Sequence, residues 1–310
     1  MASKWSSPLA LAKRLALTIP GLRGVDYGFR YKKGIRRKQL CIRFHVAEKR
    51  AESVLPPNDI LPKDFGGIPC DVVQASYALH ASPRGVCDPV QPGVSIGNMK
   101  HSSTGTLGAV VRDIRSGKLG LLSNWHVLCA SVSCLPGEAI CQPGPLHAGN
   151  SLARDVAILE RWLSLDHGCD AALALIDPAI SEDRQIFELG IVPGQVEDAK
   201  PGMRLVKMGA VSGSTTALVD GVDGTFSMDY SGFGGQQRWM DGIRLVHEPD
   251  VGADEISIAG DSGALWINPA TKGAVGLHFA GEDGLGPLAE YAVAHPLAKV
   301  LRLLDAELPA

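Results

Sequence analysis

The apolar segments of this chain are short and closely punctuated. RLVKMGAVSG, TALVDGVDGTFSMDY, GIRLVHE, ALWIN and GAVGLHFAG succeed one another between residues 204 and 281. Runs of this length, separated by turn-forming residues, read as strands rather than long helices. The 36 Gly and 20 Pro of the chain supply the turns. The same rhythm runs through GTLGAVVRDIRSGKLGLLSNWHVL, with a turn at Ser116-Gly117, and through DAALALI at 170–176. Short strands at this spacing predict a mainly β protein built as a barrel or a sandwich.

The ends of the chain read differently. Residues 24–46 form two strands around the turn Lys32-Lys33-Gly34-Ile35, and Ile42, Phe44 and Val46 give the second an apolar face. DVVQASY, 71–77, reads as a third strand. The N-terminal segment reads as an amphipathic helix with Leu11, Leu15 and Ile19 at i, i+4 and i+8. Together these form a small α+β domain over 1–85, in which nothing looks catalytic and His45 is a packed or surface residue. SPRGVCDPVQPG, 82–93, reads as a linker. HPLAKVLRLLDAEL, 295–308, closes the second domain (86–310) as a helix with Leu297, Val300, Leu301 and Leu304 on its apolar side.

A net charge of −3 over 310 residues gives no basic surface that calls for nucleic acid and no acidic tail. No run reaches the ~18 apolar residues of a membrane span, so neither nucleic acid nor membrane is an expected partner. Lys13 and Arg14 interrupt the N-terminal apolar run, which argues against a signal peptide. The lack of acidic residues before Asp26 leaves organelle targeting open. Seven Cys, an odd number, then read as reduced thiols in a cytoplasmic protein. His126, Cys129, Cys134, Cys141 and His147 lie close in sequence but contain no tight C-x₂-C pair. No metal and no cofactor are expected.

A hydroxyl nucleophile needs a base in reach and a group that orients the base. The chain offers them in the order His, Asp, Ser. His126 follows an apolar strand in LLSNWHVL, Asp170 opens CDAALALI 44 residues on, and Ser262 stands 92 residues further, in GDSGAL. Asp155, in ARDVAIL, competes with Asp170. It lies only 29 residues after His126, a short stretch for the rest of a barrel to close.

These three segments, each joined to a strand, resemble the chymotrypsin-fold serine peptidases. SNWHVL, QPGPLHAGN, VAILERW, DAALA, GDSGALW and AVGLHFAG are similar to a bacterial group of trypsin-like peptidases, which plant proteins of the narrow-leaf type also resemble. The resemblance implies two six-stranded antiparallel β-barrels, roughly 94–180 and 200–293, ahead of the C-terminal helix. It implies that His126 is the general base, Asp170 its orienter and Ser262 the nucleophile. The backbone N–H groups of Gly260 and Ser262 would form the oxyanion hole. Ile256, six residues before the nucleophile, would floor the substrate pocket, and His278, Phe279 and Ala280 would wall it.

With Ile256 at the floor, no acidic residue awaits a basic substrate side chain. An imidazole N–H at His278 is a donor to a carboxylate or amide oxygen, so cleavage after Glu or Gln is expected. The alternative is a His278 packed under the barrel. Two classes of function stay open. One is a serine endopeptidase acting on a protein substrate. The other is a catalytically silent module that kept the fold for binding. A latent peptidase activated by a regulatory partner combines both. Asp261, which pairs with a newly cut N-terminus in trypsin-like zymogens, is here expected to pair within the chain.

Overall fold

Alternation of apolar and polar residues sets which face of each strand is buried, and the sheets follow from it. The computed structural model describes residues 6–19, 21–32, 35–75, 82–149, 153–248, 255–282 and 290–310. The chain divides into two units, Met1–His80 and Ala81–Ala310.

In the first unit four strands lie in the order Leu22–Lys32, Ile35–Val46, Ile68–Gln74, Asp64–Phe65. The first two are antiparallel, whereas Ile35–Val46 and Ile68–Gln74 are parallel and need the long crossover through residues 47–67. The helix Ser6–Ala16 completes a small core of Ala12, Ile42, Phe44 and Ile68, with Leu9 against it. The helix therefore turns a different stripe inward than its leucine spacing predicts. Leu11 is 52% exposed, while Ala12 is fully buried. Ala12 brings no bulk beyond Cβ, so the helix backbone can approach Phe44 and Ile42, and Leu9 fills the flank. Ile19 lies beyond the helix end. The third strand ends at Gln74; Tyr77 and the Lys33-Gly34 turn lie outside the described residues.

The second unit holds two curled sheets. The first runs in the order Ala306–Glu307, Ala109–Asp113, Leu119–Ser123, Ala172–Ile176, Arg154–Trp162, Ala139–Gln142, Ser95–Asn98, Gly105–Thr106. Gly105–Thr106 and Ala109–Asp113 belong to one continuous segment, so the sheet curls back on itself. In the second sheet, Gly273–Gly281 pairs with both Leu265–Asn268 and Tyr291–Pro296. That double pairing closes a ring of six strands with Arg204–Gly209, Gly213–Asp229 and Gln237–Val246. A closed barrel leaves no edge strand to pair elsewhere.

The segment 82–93, which reads as a linker, is packed onto the first barrel. Cys87 and Val90 are buried. The Gln142 amide donates to the Gly85 carbonyl (2.7 Å) and accepts from the Cys87 N–H (3.0 Å). One side chain thus satisfies the backbone of a Pro- and Gly-rich stretch that composition alone marks as free. At the C-terminus, helix Leu297–Leu304 buries Leu297, Val300, Leu301 and Leu304. It stops at Asp305, which adopts a left-handed conformation, and a short strand replaces the expected last turn.

Candidate active site

Pairing of Ala172 with Ser123 aligns the strands Ala172–Ile176 and Leu119–Ser123 so that their neighbours Asp170 and Asn124–His126 meet at one end. Asn124 starts the short helix Trp125–Leu128, and its side chain donates to the Asp170 carbonyl (2.8 Å). Asp170 then accepts twice from His126. The backbone N–H reaches Oδ1 (3.1 Å) and ring Nδ1 reaches Oδ2 (2.5 Å). This assigns the proton to Nδ1 and leaves Nε2 free to accept. Asp155 is exposed on strand Arg154–Trp162, opposite Cys141, and does not meet His126.

Asp170 has no solvent exposure. Burial pushes its carboxyl up, but His126, His295 and the Tyr230 hydroxyl outweigh that and hold it below the ordinary carboxylate range. Tyr230 Oη donates to Oδ2 at 2.8 Å. His295 accepts from the Asp170 N–H through Nε2 (2.9 Å) and donates from Nδ1 to the Asp241 carbonyl (2.7 Å). Both nitrogens of His295 are thus committed in the neutral form, and burial brings its pKa down to about 4. The His126 ring leans on Phe233, 5.7 Å between centroids, and Trp125 packs edge-on to Tyr230 and Phe233. Tyr230, Phe233 and His295 do not stand out in the sequence. Tyr230 and Phe233 have one signal, an aromatic pair in the otherwise polar stretch DYSGFGG, and His295 has none.

Ser262 sits in a loop held from both sides. Gly263 N–H donates to the His278 carbonyl, and His278 N–H to that of Ala264. From the first barrel, Thr106 N–H donates to the Ser262 carbonyl (2.8 Å) and Thr106 Oγ1 to the Gly260 carbonyl (2.9 Å). Gly260 and Gly263 have φ of +103° and +96°. A Cβ at Gly263 would stand 2.1 Å from Ser123 Oγ, so only glycine fits this turn. The N–H groups of Gly260 and Ser262 have no acceptor among the described residues, and neither has the Ser262 hydroxyl. Ser262 and His126 are not hydrogen-bonded to each other. Their loops meet at Gly105, where a Cβ would strike both the Val127 side chain and the Ser262 carbonyl.

Beside Ser262 lies a pocket of about 550 Å³, lined also by His278, Ala280, Ser257, Glu255 and Glu282. Ile256 and Phe279 do not line it. Ile256 is fully buried in the second barrel with Trp266 and Leu205. Phe279 stacks on His295, 3.8 Å between centroids. The strand is irregular at this point: His278 and Ala280 reach the pocket and Phe279 between them does not. His278 is 2% exposed, and its Nδ1 is buried without a partner. Burial drives its pKa down to about 3, so it is neutral near pH 7. Glu255, Glu282 and Glu290 bring their carboxylates within 4.8 Å of one another, and no Lys or Arg is among the described lining residues.

Asp261 pairs within the chain, with Lys207. Lys207 occupies an inward position between Leu205 and Gly209 on a strand that is otherwise apolar on that face, which is the sequence signal for it. All seven cysteines are free thiols. No helix among the described residues is long and apolar enough to cross a membrane.

No family model and no curated protein matches the sequence. Solved structures do. A Nocardiopsis protease superposes with TM-score 0.51 at 15% identity, over 72% of this chain and 100% of its own. Thermobifida fusca protease A gives 0.50 at 15%, over 72% and 98%. A glutamic acid-specific serine protease, described as using a histidine triad in substrate binding, gives 0.50 at 16%, over 71% and 100%. The chain therefore has the two-barrel chymotrypsin fold, mainly β with a C-terminal helix.

Proposed function

We propose that a protein with this fold and this site is a serine endopeptidase. One observation carries the reading: a buried, ionised Asp170 fixes the tautomer of His126, while the loop bearing Ser262 presents two unengaged N–H groups. In the proposed reaction His126 Nε2 takes the Ser262 proton as Oγ attacks the scissile carbonyl. The Gly260 and Ser262 N–H groups receive the developing oxyanion. His126 then protonates the leaving amine, and water, deprotonated by the same imidazole, releases the acyl group. The Ser262–His126 hydrogen bond forms with substrate, since catalytic contacts are often open in the free enzyme. Asp261 already has its cation in Lys207, which favours an enzyme that needs no chain cleavage to order this loop.

The pocket supports Gln before the scissile bond over Glu. A Gln carbonyl can accept from His278, and its NH₂ can donate to Glu255 or Glu282. A Glu side chain would instead become an additional carboxylate beside those two, even though a structural neighbour is glutamate-specific. Lys or Arg is the rival, favoured by the same two carboxylates. Fluorophosphonate labelling, lost in Ser262→Ala, together with cleavage profiling of a peptide library, tests both levels. An unlabelled wild-type protein would leave the silent binding module or the partner-activated latent peptidase as the reading. Labelling with cleavage only after Lys and Arg would overturn the Gln pocket alone.

A further inference from the structure

The whole-chain charge of −3 conceals a division. Residues 1–80 hold 14 Lys and Arg against 6 Asp and Glu, and residues 81–310 hold 16 against 27. The excess is concentrated in residues 29–40, FRYKKGIRRKQL, which carry six basic residues and no acidic one. In the fold residues 29–32 and 35–40 form the outer half of the two strands Leu22–Lys32 and Ile35–Val46. The neighbouring strand pairs only with Ile42 to Val46, and the apolar core ends at Tyr27 and Ile42. Residues 35–40 are all exposed. A bare two-stranded ribbon, roughly 20 Å long at ~3.3 Å per residue, therefore extends past the core.

Its cations stand on both faces. Arg36 faces Tyr31 across the ladder and lies 3.9 Å over the Phe29 ring, so these three share one side. Lys32, paired with Ile35 one step along the ladder, takes the other, and Arg37 and Lys38 follow in the irregular stretch between Arg36 and Leu40. Lys32, Arg36, Arg37 and Lys38 form no ion pair among the described residues, whereas Arg30 has Asp71 and Arg43 has Asp26. Phe29 and Tyr31 are 36% and 48% exposed.

We propose that this ribbon docks in the major groove of double-stranded DNA. A flat anionic surface can meet only one face of a ribbon at a time. A groove presents phosphates along both walls, so cations on both faces are engaged together. The major groove of B-form DNA admits a two-stranded ribbon, and the deep, narrow major groove of A-form RNA does not.

The test uses the full chain, a fluorescein-labelled DNA duplex of about 20 base pairs and anisotropy across a salt series. Saturable binding at 50 mM NaCl is expected, with log K falling against log salt at a slope of about −4 for four phosphate contacts. Arg36→Gln/Arg37→Gln/Lys38→Gln should bring the slope to about −1 and weaken binding at least 30-fold. Arg36→Lys/Arg37→Lys should keep the slope, and unchanged circular dichroism would show that both variants fold. The proposal is overturned by no binding at 50 mM NaCl or by an unchanged slope in the triple variant. Equal affinity for an RNA duplex of the same sequence would overturn it too, as would binding to phosphatidylserine vesicles without binding to DNA.

Discussion

Lys207 Nζ lies 2.8 Å from Asp261 Oδ2, and neither side chain has any solvent exposure. The pair is fully engaged. Lys207 also donates to Ser212 Oγ and lies 5.4 Å from the centroid of the Trp266 ring. The Asp261 oxygens accept further from the N–H groups of Val211, Ser212 and Ile258. Burial pushes the Asp261 carboxyl up, but the Lys207 ammonium and the Ser212 donors outweigh it and hold it below the ordinary carboxylate range. Because Asp261 precedes Ser262, the pair anchors the loop whose Gly260 and Ser262 N–H groups have no acceptor among the described residues.

Removing the cation should therefore damage fold and site together. Lys207→Met leaves a buried carboxylate unpaired, a loss of about 3–5 kcal/mol. Adding Asp261→Asn should restore part of that stability but not the rate of fluorophosphonate labelling. Urea unfolding of the two variants measures the first effect. A single variant that unfolds at the wild-type midpoint would remove the pair from any structural account.

Tyr230→Phe deletes one donor to Asp170 with no change in shape. Hydrogen bonds to charged groups contribute roughly 1.5–3 kcal/mol, and His126 continues to hold the carboxylate. A fall in kcat of about tenfold or more with KM unchanged is expected, since Tyr230 does not touch the pocket. A changed KM with unchanged kcat would contradict a role through Asp170. Asp155→Ala is the matched control and should stay at wild-type activity.

Acid should destabilise the protein well above the carboxylate range. His295 is held neutral with a pKa of about 4 and His278 with one of about 3, against an unfolded value of about 6.5. The unfolded chain thus binds protons that the folded chain refuses. Stability is complete above the unfolded value and falls as pH drops from about 6.5 toward 4, by roughly 1.4 kcal/mol per unit for each His. Asp261 adds a loss of its own only below about pH 4, as the solution approaches its folded value. Equal urea midpoints at pH 7.5 and 5.0 would refute the buried neutral histidines.

Selectivity between Gln and Glu should respond to the pocket carboxylates. Glu255→Gln/Glu282→Gln should raise cleavage after Glu relative to Gln by roughly tenfold, most strongly at low ionic strength. His278→Ala should lower cleavage after Gln while sparing an activated ester. A ratio that ignores both changes would mean that the residue before the cut does not enter this pocket.

Much of the architecture is legible in the sequence, because strand-length runs, turn residues and face alternation are local properties. The short strands of a barrel or sandwich, the buried face of helix Leu297–Leu304 and the order His126, Asp170, Ser262 are all written there, and the choice of two barrels comes from the resemblance those motifs carry. What stays hidden depends on which strands close on which. Alternation shows that Lys207 points inward, but only barrel closure brings Asp261 to it. Tyr230 and His295 lie 60 and 125 residues from Asp170, and no local pattern links them. Ile256 and Phe279 leave the expected pocket because the closed second barrel draws one into its core and turns the other onto His295. Charge is partly legible: FRYKKGIRRKQL is basic in the sequence itself, and only the fold shows that residues 29–32 and 35–40 run past the apolar core of their own unit. The sequence thus determines segments and faces, and only tertiary structure decides partners, because partners are separated along the chain and joined by packing.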